Sequence, residues 1–215
     1  LGERELRVTG FYDGDGIYRI RFMPDEQGNW TYATQSNHPK LDGHSGSVTV
    51  DAAKPEDHGP VVADGLNFRY ADGSRYINIG TTAYAWTHQE ASLQDQTLDS
   101  LAAAPFTKIR MCVFPKHYRY NETEPEHYPF KVITTGKSEW PATQEDSGWA
   151  FDFDTPNPAF FQHLETQIAK LGALGIEADL ILLHPYDRWG FDYMSPAQDD
   201  RYLAYIVARL AAYPN

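Results

Sequence analysis

The 215-residue sequence contains a single cysteine, Cys112. It therefore has no intrachain disulfide framework and no zinc cage built from thiolates. No apolar run approaches the roughly 18 residues of a membrane-spanning helix, so no membrane span is expected. Basic residues are scarce: 18 Lys+Arg stand against 30 Asp+Glu, a formal net charge of −12. Nucleic acid is not an expected partner, because its binders carry a basic stripe. The eight histidines lack metal-ligand spacing, and His-Glu-x-x-His is absent, so no metal is expected. The phosphate loop Gly-x-x-x-x-Gly-Lys and the nucleophile elbow Gly-x-Ser-x-Gly are missing too. No cofactor is expected. What the chain does have is 41% hydrophobic and 14% aromatic residues, a globular composition long enough for one or two domains. It opens on Leu1-Gly2-Glu3-Arg4 without an initiator methionine or signal-peptide pattern, which reads as an internal piece. Localisation stays open between cytoplasmic and secreted or periplasmic.

From Leu6 to about Asp51 the chain reads as β-structure. In Ile17–Phe22, Tyr18, Ile20 and Phe22 point one way while Arg19 and Arg21 point the other. The turn residues Pro24–Asn29 then lead to a second alternating run, Trp30–Thr34, which predicts a hairpin. Upstream, Asp13-Gly14-Asp15-Gly16 is a turn joining Leu6–Tyr12 to the Ile17 strand. It has part of a calcium loop's spacing, but the distal glutamate of such loops has no counterpart. Val48–Val50 is a last short strand. Together these strands predict a partial β-sandwich over residues 1–58.

After Gly59-Pro60 the pattern changes. A small hairpin around Asp72-Gly73 is followed by three copies of an apolar strand and an amphipathic helix. Tyr76–Gly80 precedes a helix over Ser92–Ala104, where Ser92 and Asp95 have capping-box spacing. Lys108–Phe114 precedes a helix beginning at Asn157-Pro158, whose stripe is Phe160, Phe161, Leu164, Ile168 and Leu171. Ala178–Leu183 precedes a helix capped by Ser195, with Leu203, Ile206, Val207 and Leu210 inward. Such alternation implies a parallel sheet buried on both faces. It fits either the start of an eightfold barrel or half of a doubly wound sheet. No Gly-x-Gly-x-x-Gly follows a strand, so dinucleotide binding loses its main support. The aromatic and charged residues at the strand ends favour the barrel. The expected fold is a partial β-sandwich followed by α/β, the first three βα units of a TIM (β/α)8 barrel, with the second domain at 59–215.

In such a barrel, chemistry sits at the carboxyl ends of the strands. Those ends carry Thr81, Thr82, Tyr84, Trp86 and His88, then Lys116, His117, Tyr118, Arg119 and Tyr120, then His184, Tyr186, Asp187, Arg188, Trp189 and Phe191. Aromatic rings beside hydrogen-bonding groups suit sugars, whose C–H faces stack while their hydroxyls bond. The connection from Lys116 to Thr155 far exceeds ordinary loops. Its Tyr128, Phe130, Trp140 and Trp149 suggest a folded cleft wall rather than a disordered tether. Arg110 interrupts an apolar strand and needs an anionic partner.

Gly80-Thr81-Thr82-Ala83-Tyr84-Ala85-Trp86 resembles the first-strand motif of the apiosidase-like barrels. That glycoside hydrolase family is of the clan A type and sometimes carries a collagen-binding label. Arg110–Lys116 and His184–Phe191 are similar to its continuation, and Phe11–Tyr32 resembles the small β-sandwich domain preceding certain bacterial barrels. The resemblance implies a retaining glycoside hydrolase acting on a polysaccharide or oligosaccharide. It places Arg110 beside the nucleophile and His184 at the sugar subsite, as the catalytic set of this chain. It also implies that Tyr84, Trp86, Lys116, His117, Tyr118, Asp187, Arg188 and Trp189 bind substrate.

Retaining hydrolysis needs two carboxyl groups about 5–5.5 Å apart. The resemblance puts those glutamates on strands four and seven, beyond this sequence, so the piece alone is expected to be inactive and truncated at both ends. The stretch from Gly59 is shorter than the roughly 250 residues of a complete barrel. A three-stranded parallel sheet would leave an open edge, to be covered by the rest of a barrel or by self-association. The rival readings are a non-catalytic carbohydrate- or protein-binding module, and an α/β enzyme of unrelated chemistry.

Overall fold

The computed structural model describes residues 4–55, 57–136, 147–184 and 188–213. The chain divides into two compact units. One takes in the residues through Ile20 together with Ile77–Leu210; the other takes in Arg21–Tyr76 and the stretch after Leu210.

In the first unit, strand β1 (Phe11–Tyr12) pairs antiparallel with β2 (Tyr18–Arg19). The turn between them has positive φ at Gly14, Asp15 and Gly16, a conformation glycine adopts freely and aspartate tolerates. The centre of the unit is a parallel sheet of β7 (Gly80–Thr82), β8 (Lys108–Cys112) and β11 (Glu177–Ile181), in the order β11-β8-β7. Ile109 and Met111 are fully buried on one face of β8, as is Val113 just beyond its end. Opposite them, Lys108 pairs with Glu177 at 3.3 Å and Arg110 with Asp179 at 2.9 Å. The parallel register sets Glu177 beside Lys108 and Asp179 beside Arg110, so the two ion pairs share a face.

Helix α1 (Ala91–Ala102) joins β7 to β8. Its N-cap is Glu90, which makes no side-chain cap bond, rather than Ser92. Asp95 instead accepts from Lys170 at 3.1 Å. Helix α2 (Pro158–Ala173) starts as its sequence predicts: Pro158 takes the first turn, and Asn157 Oδ1 accepts from the Ala159 N–H at 3.2 Å. It buries Phe160, Phe161, Leu164, Ile168 and Leu171, and ends before Gly175, whose φ is 71°. Asn157 also donates to the Tyr128 carbonyl at 2.9 Å. Asn157→Ala is expected to cost about 1–2 kcal/mol by urea titration, and Asn157→Asp less, since it keeps the cap. An equal loss in both variants would place the effect at Tyr128 instead. Helix α3 (Pro196–Leu210) buries Tyr202, Ile206, Ala208 and Arg209, while Val207 is half exposed. β9 (Phe130–Thr134) and β10 (Ala150–Pro156) form an antiparallel pair within the long connection. Phe130, Trp149 and Phe151 of this stretch join the core, and Trp140 lies outside the described residues.

In the second unit, β3 (Gly28–Ala33) pairs along its whole length with β4 (Ser45–Val50). β5 (Val61–Asp64) pairs with β6 (Asn67–Tyr70), and Asp72-Gly73 turns the chain just beyond.

The partial β-sandwich followed by three TIM-barrel units is thus corrected. Among the described residues there are four two-stranded antiparallel sheets, one three-stranded parallel sheet and three α-helices, with no closed barrel repeat. The predicted strand Tyr76–Gly80 pairs only from Gly80 onward, and Ile77 and Ile79 stay substantially exposed. The central strand is apolar on one face and charged on the other, whereas a doubly covered sheet needs both faces apolar. The sandwich does not form because β2 pairs back onto β1 and β3 pairs forward onto β4. The predicted hairpin from Ile17–Phe22 to Trp30–Thr34 is accordingly absent from the described pairings.

Candidate active site

Beyond the last ladder pairs, backbone bonds hold the carboxyl ends of the parallel strands together. Ala83 N–H donates to the Arg110 carbonyl at 3.0 Å, Cys112 N–H to Tyr84 at 2.9 Å, and Val113 N–H to Ile181 at 3.0 Å. This edge brings Tyr84, Lys116 and His184 together. Lys116 Nζ stands 3.4 Å from His184 Nε2 and 5.2 Å from the centre of the Tyr84 ring. The geometry lets the ammonium donate to the imidazole and face the ring's negative quadrupole. His184 is buried while the Tyr84 ring is partly exposed, so the cluster offers solvent an aromatic face beside polar groups.

Asn121 fixes the loop that carries Lys116. Its Nδ2 donates to the Lys116 carbonyl at 2.6 Å, and its Oδ1 accepts from Gln89 Nε2 at 2.8 Å. Its backbone exchanges two hydrogen bonds with Tyr118, which leaves the Tyr118 ring partly exposed on the same loop. The remaining expected site residues lie deeper. Trp86 is buried and donates from Nε1 to the Gln94 carbonyl at 3.1 Å. His117 is buried with its ring edge-on to Trp189, centroids 6.2 Å apart. Trp189 is in the core, and the Arg188 guanidinium lies 4.8 Å over it while pairing with Glu124. Asp187 lies outside the described residues.

Arg110 has found its anion on the neighbouring strand. Its Nε and Nη2 both reach Asp179 Oδ2 at 2.9 Å. Sequence reasoning missed Asp179, Asn121 and Glu124. For Asp179 a signal exists: Lys-x-Arg on β8 and Glu-x-Asp on β11 carry opposite charges at the same spacing, which a parallel register brings side by side. Asn121 and Glu124 sit in an irregular stretch that has no periodicity to read. Asp179 and Glu177 are each in an ion pair, so neither is a free carboxylate for acid–base work. Among the described residues no group of three or more His, Cys, Asp or Glu side chains is arranged to hold a metal ion. No described helix is long and apolar enough to cross a membrane.

Residues 63–215 match the family model described as "Apiosidase-like, catalytic domain". The chain belongs to the apiosidase-like family. Residues 2–37 match a domain of unknown function, DUF5060. A crystal structure from Bacteroides vulgatus ATCC 8482, described as "a putative glycoside hydrolase", is 51% identical with a TM-score of 0.89. The match covers 97% of this apiosidase-like chain and 40% of the Bacteroides chain. No curated protein sequence matches.

Proposed function

We propose that the chain is part of a retaining glycoside hydrolase that cleaves glycosidic bonds in a polysaccharide or oligosaccharide, and that the sheet edge at Tyr84, Lys116 and His184 is its sugar subsite. The supporting observation is the cluster itself: a partly exposed ring 5.2 Å from an ammonium that also reaches an imidazole. A sugar needs this combination, a stacking surface for its C–H face and hydrogen-bonding groups for its hydroxyls. Tyr84 and Tyr118 present rings, and Lys116 and His184 hydrogen-bond the sugar beside the scissile bond. Trp86, His117, Arg188 and Trp189 back the subsite from the core. Arg110, held by Asp179, is a positioning cation for the nucleophile.

In this reading the carboxylate pair comes from the rest of a longer protein, since the chain spans 40% of its Bacteroides neighbour. Residues 1–58 are the accessory domain and 59–215 the hydrolase part. The test uses the longer protein that contains this chain. His184→Ala and Arg110→Ala are each expected to lower kcat/KM on its glycan by about 10²–10³, the effect of removing one preorganised polar group. Unchanged kcat/KM in both would refute the assignment. Saturable glycan binding without turnover by the longer protein would favour the non-catalytic module.

A further inference from the structure

Cations below the surface of the first unit are paired with carboxylates, with one exception. Among the described lysines and arginines of that unit, Lys108, Lys116, Arg188 and Arg209 are half-buried or buried. Lys108 meets Glu177 at 3.3 Å, Arg188 pairs with Glu124, and Arg209 meets Glu165 at 2.6 Å. Among the described residues no carboxylate pairs with Lys116. Its neighbours are His184 Nε2 at 3.4 Å and the Tyr84 ring, whose centre is 5.2 Å away. Neither an imidazole lone pair nor a ring quadrupole carries a net negative charge, so these contacts leave the ammonium unneutralised.

The position is held from behind. Asn121, itself buried, donates to the Lys116 carbonyl at 2.6 Å and so fixes the backbone from which the ammonium projects. Taking a charge out of water is costly unless an opposite charge answers it. Carboxylates are in excess in this chain, 30 Asp+Glu against 18 Lys+Arg. The half-buried ammonium nevertheless stands at the sheet edge beside a partly exposed ring. An anion that arrives with the ligand supplies the missing charge.

We infer that the sheet-edge subsite selects an acidic sugar, one bearing a carboxylate or a sulfate, and that Lys116 is the residue that selects it. This selection presupposes the sugar-subsite reading above and adds the class of sugar to it. A sugar lying against the Tyr84 ring has the ammonium alongside, and the four-carbon stem of Lys116 is flexible enough to follow a substituent. With an anionic oxygen the ammonium makes a charge-assisted bond, roughly twice as strong as a neutral one. A neutral sugar displaces water from the same charge without answering it, and specificity is the difference between the two. The chain as a whole carries a net charge of −12 and repels anions, so a preference for acidic sugars reports a local cation.

The test is calorimetric titration of the longer protein that contains this chain with methyl glycosides that differ only at C6: the galactoside, its 6-sulfate and the galacturonide, and the same series built on glucose. In at least one series an acidic member is expected to bind about tenfold more tightly than the neutral one, the gain of a hydrogen bond to a charged group over a neutral one. The ratio should shrink as added salt screens the pair. Whichever acidic member binds better, carboxylate or sulfate, identifies the source of the charge. Lys116→Met keeps most of the stem and should bring the ratio near one, whereas Lys116→Arg keeps the charge and should retain most of the preference. Neutral sugars bound as tightly as acidic ones, with His184→Ala still weakening both, would overturn the acidic-sugar inference and leave the subsite standing. The Lys116 charge would then answer a carboxylate of the longer protein. An acidic preference that survives Lys116→Met would place the anion elsewhere and overturn it too. If none of the glycosides binds, the inference falls, and the effect of His184→Ala on kcat/KM decides the subsite reading by itself.

Discussion

Replacing Arg209 with alanine is expected to cost about 3–5 kcal/mol of folding free energy, the loss seen when one partner of a buried ionic network is removed. The Arg209 side chain has no exposed surface. Its Nη2 reaches Asp13 Oδ1 at 2.7 Å, its Nε reaches Glu165 Oε1 at 2.6 Å, and its Nη1 donates to the Tyr205 hydroxyl at 3.1 Å. The guanidinium also lies 4.5 Å over the Phe11 ring. Asp13 is shared with Arg19 and with Gln162, whose amide donates to the Asp13 carbonyl oxygen at 2.8 Å and to its carboxylate at 3.2 Å. The network therefore fastens the β1–β2 turn to α2 and α3. Truncating Arg209 would take its guanidinium from two buried carboxylates, Glu165 and Asp13, although Asp13 keeps Arg19 and Gln162. Arg209→Lys keeps the charge but not the planar fork, so an intermediate loss is expected. The triple replacement Asp13→Asn, Glu165→Leu, Arg209→Met should recover most of it, because an apolar substitute needs no ionic partner. Urea titration decides; a loss below about 1 kcal/mol, the worth of an exposed pair, would mean the network is hydrated in solution.

Acid should dismantle the same unit in two steps. Burial pushes the Asp13 carboxyl up, but hydrogen bonds from Arg19, Arg209 and Gln162 outweigh it and hold it below its ordinary 3.8. The unfolded chain then takes up a proton at this site before the folded chain does. Stability from Asp13 is present above pH 3.8 and lost as pH falls through its lowered folded value. His88 acts earlier. Burial lowers its ring from 6.5 to about 4, so unfolding is favoured as pH falls from 6.5 toward 4. Urea midpoints measured from pH 7 to 3 should slope in both windows. His88→Gln should flatten the upper one and Asp13→Asn the lower. An upper slope that survives His88→Gln would assign it to another group.

The extent to which the sequence foretold this structure depended on how local each cause was. Asn157-Pro158 announced α2 and Ser195-Pro196 announced α3, because a cap acts within one turn of the residue that supplies it. The apolar run Lys108–Phe114 likewise located β8, which forms over Lys108–Cys112. Arg209 and Asp13 were illegible: an arginine in a last helical turn ordinarily completes the dipole, and an aspartate between glycines ordinarily makes a turn. Their pairing spans 196 residues of chain and, with the Gln162–Asp13 and Tyr205–Tyr12 hydrogen bonds, fastens β1 and β2 to the helices of the α/β unit. At the candidate site the rim residues were readable as types. Which of them face solvent was not, because Trp86, His117, Arg188 and Trp189 look as amphipathic as Tyr84 and Tyr118 until burial separates them.

Glu124 provides the second large effect. Its carboxylate pairs with the fully buried Arg188 and accepts from the Tyr128 hydroxyl. Tyr128 in turn packs against Trp149 at 4.9 Å, Phe151 at 5.4 Å and Trp189 at 6.2 Å. One side chain thus joins the irregular loop after Lys116 to the aromatic floor beneath the site. Glu124→Ala would leave the Arg188 guanidinium buried without that carboxylate, at an expected cost of about 3–5 kcal/mol. Tyr128→Phe deletes a donor whose partner retains Arg188, so about 1 kcal/mol is expected. Glu124→Gln combined with Arg188→Met should restore much of the loss. Burial and the Glu124 charge both push the Tyr128 hydroxyl above its ordinary 10. Stability from Tyr128 is therefore present below pH 10 and lost as pH rises beyond it, and Glu124→Gln should soften that basic limb. If Glu124→Ala costs no more than Tyr128→Phe, Arg188 does not depend on Glu124, and the floor of the site is held by aromatic packing alone.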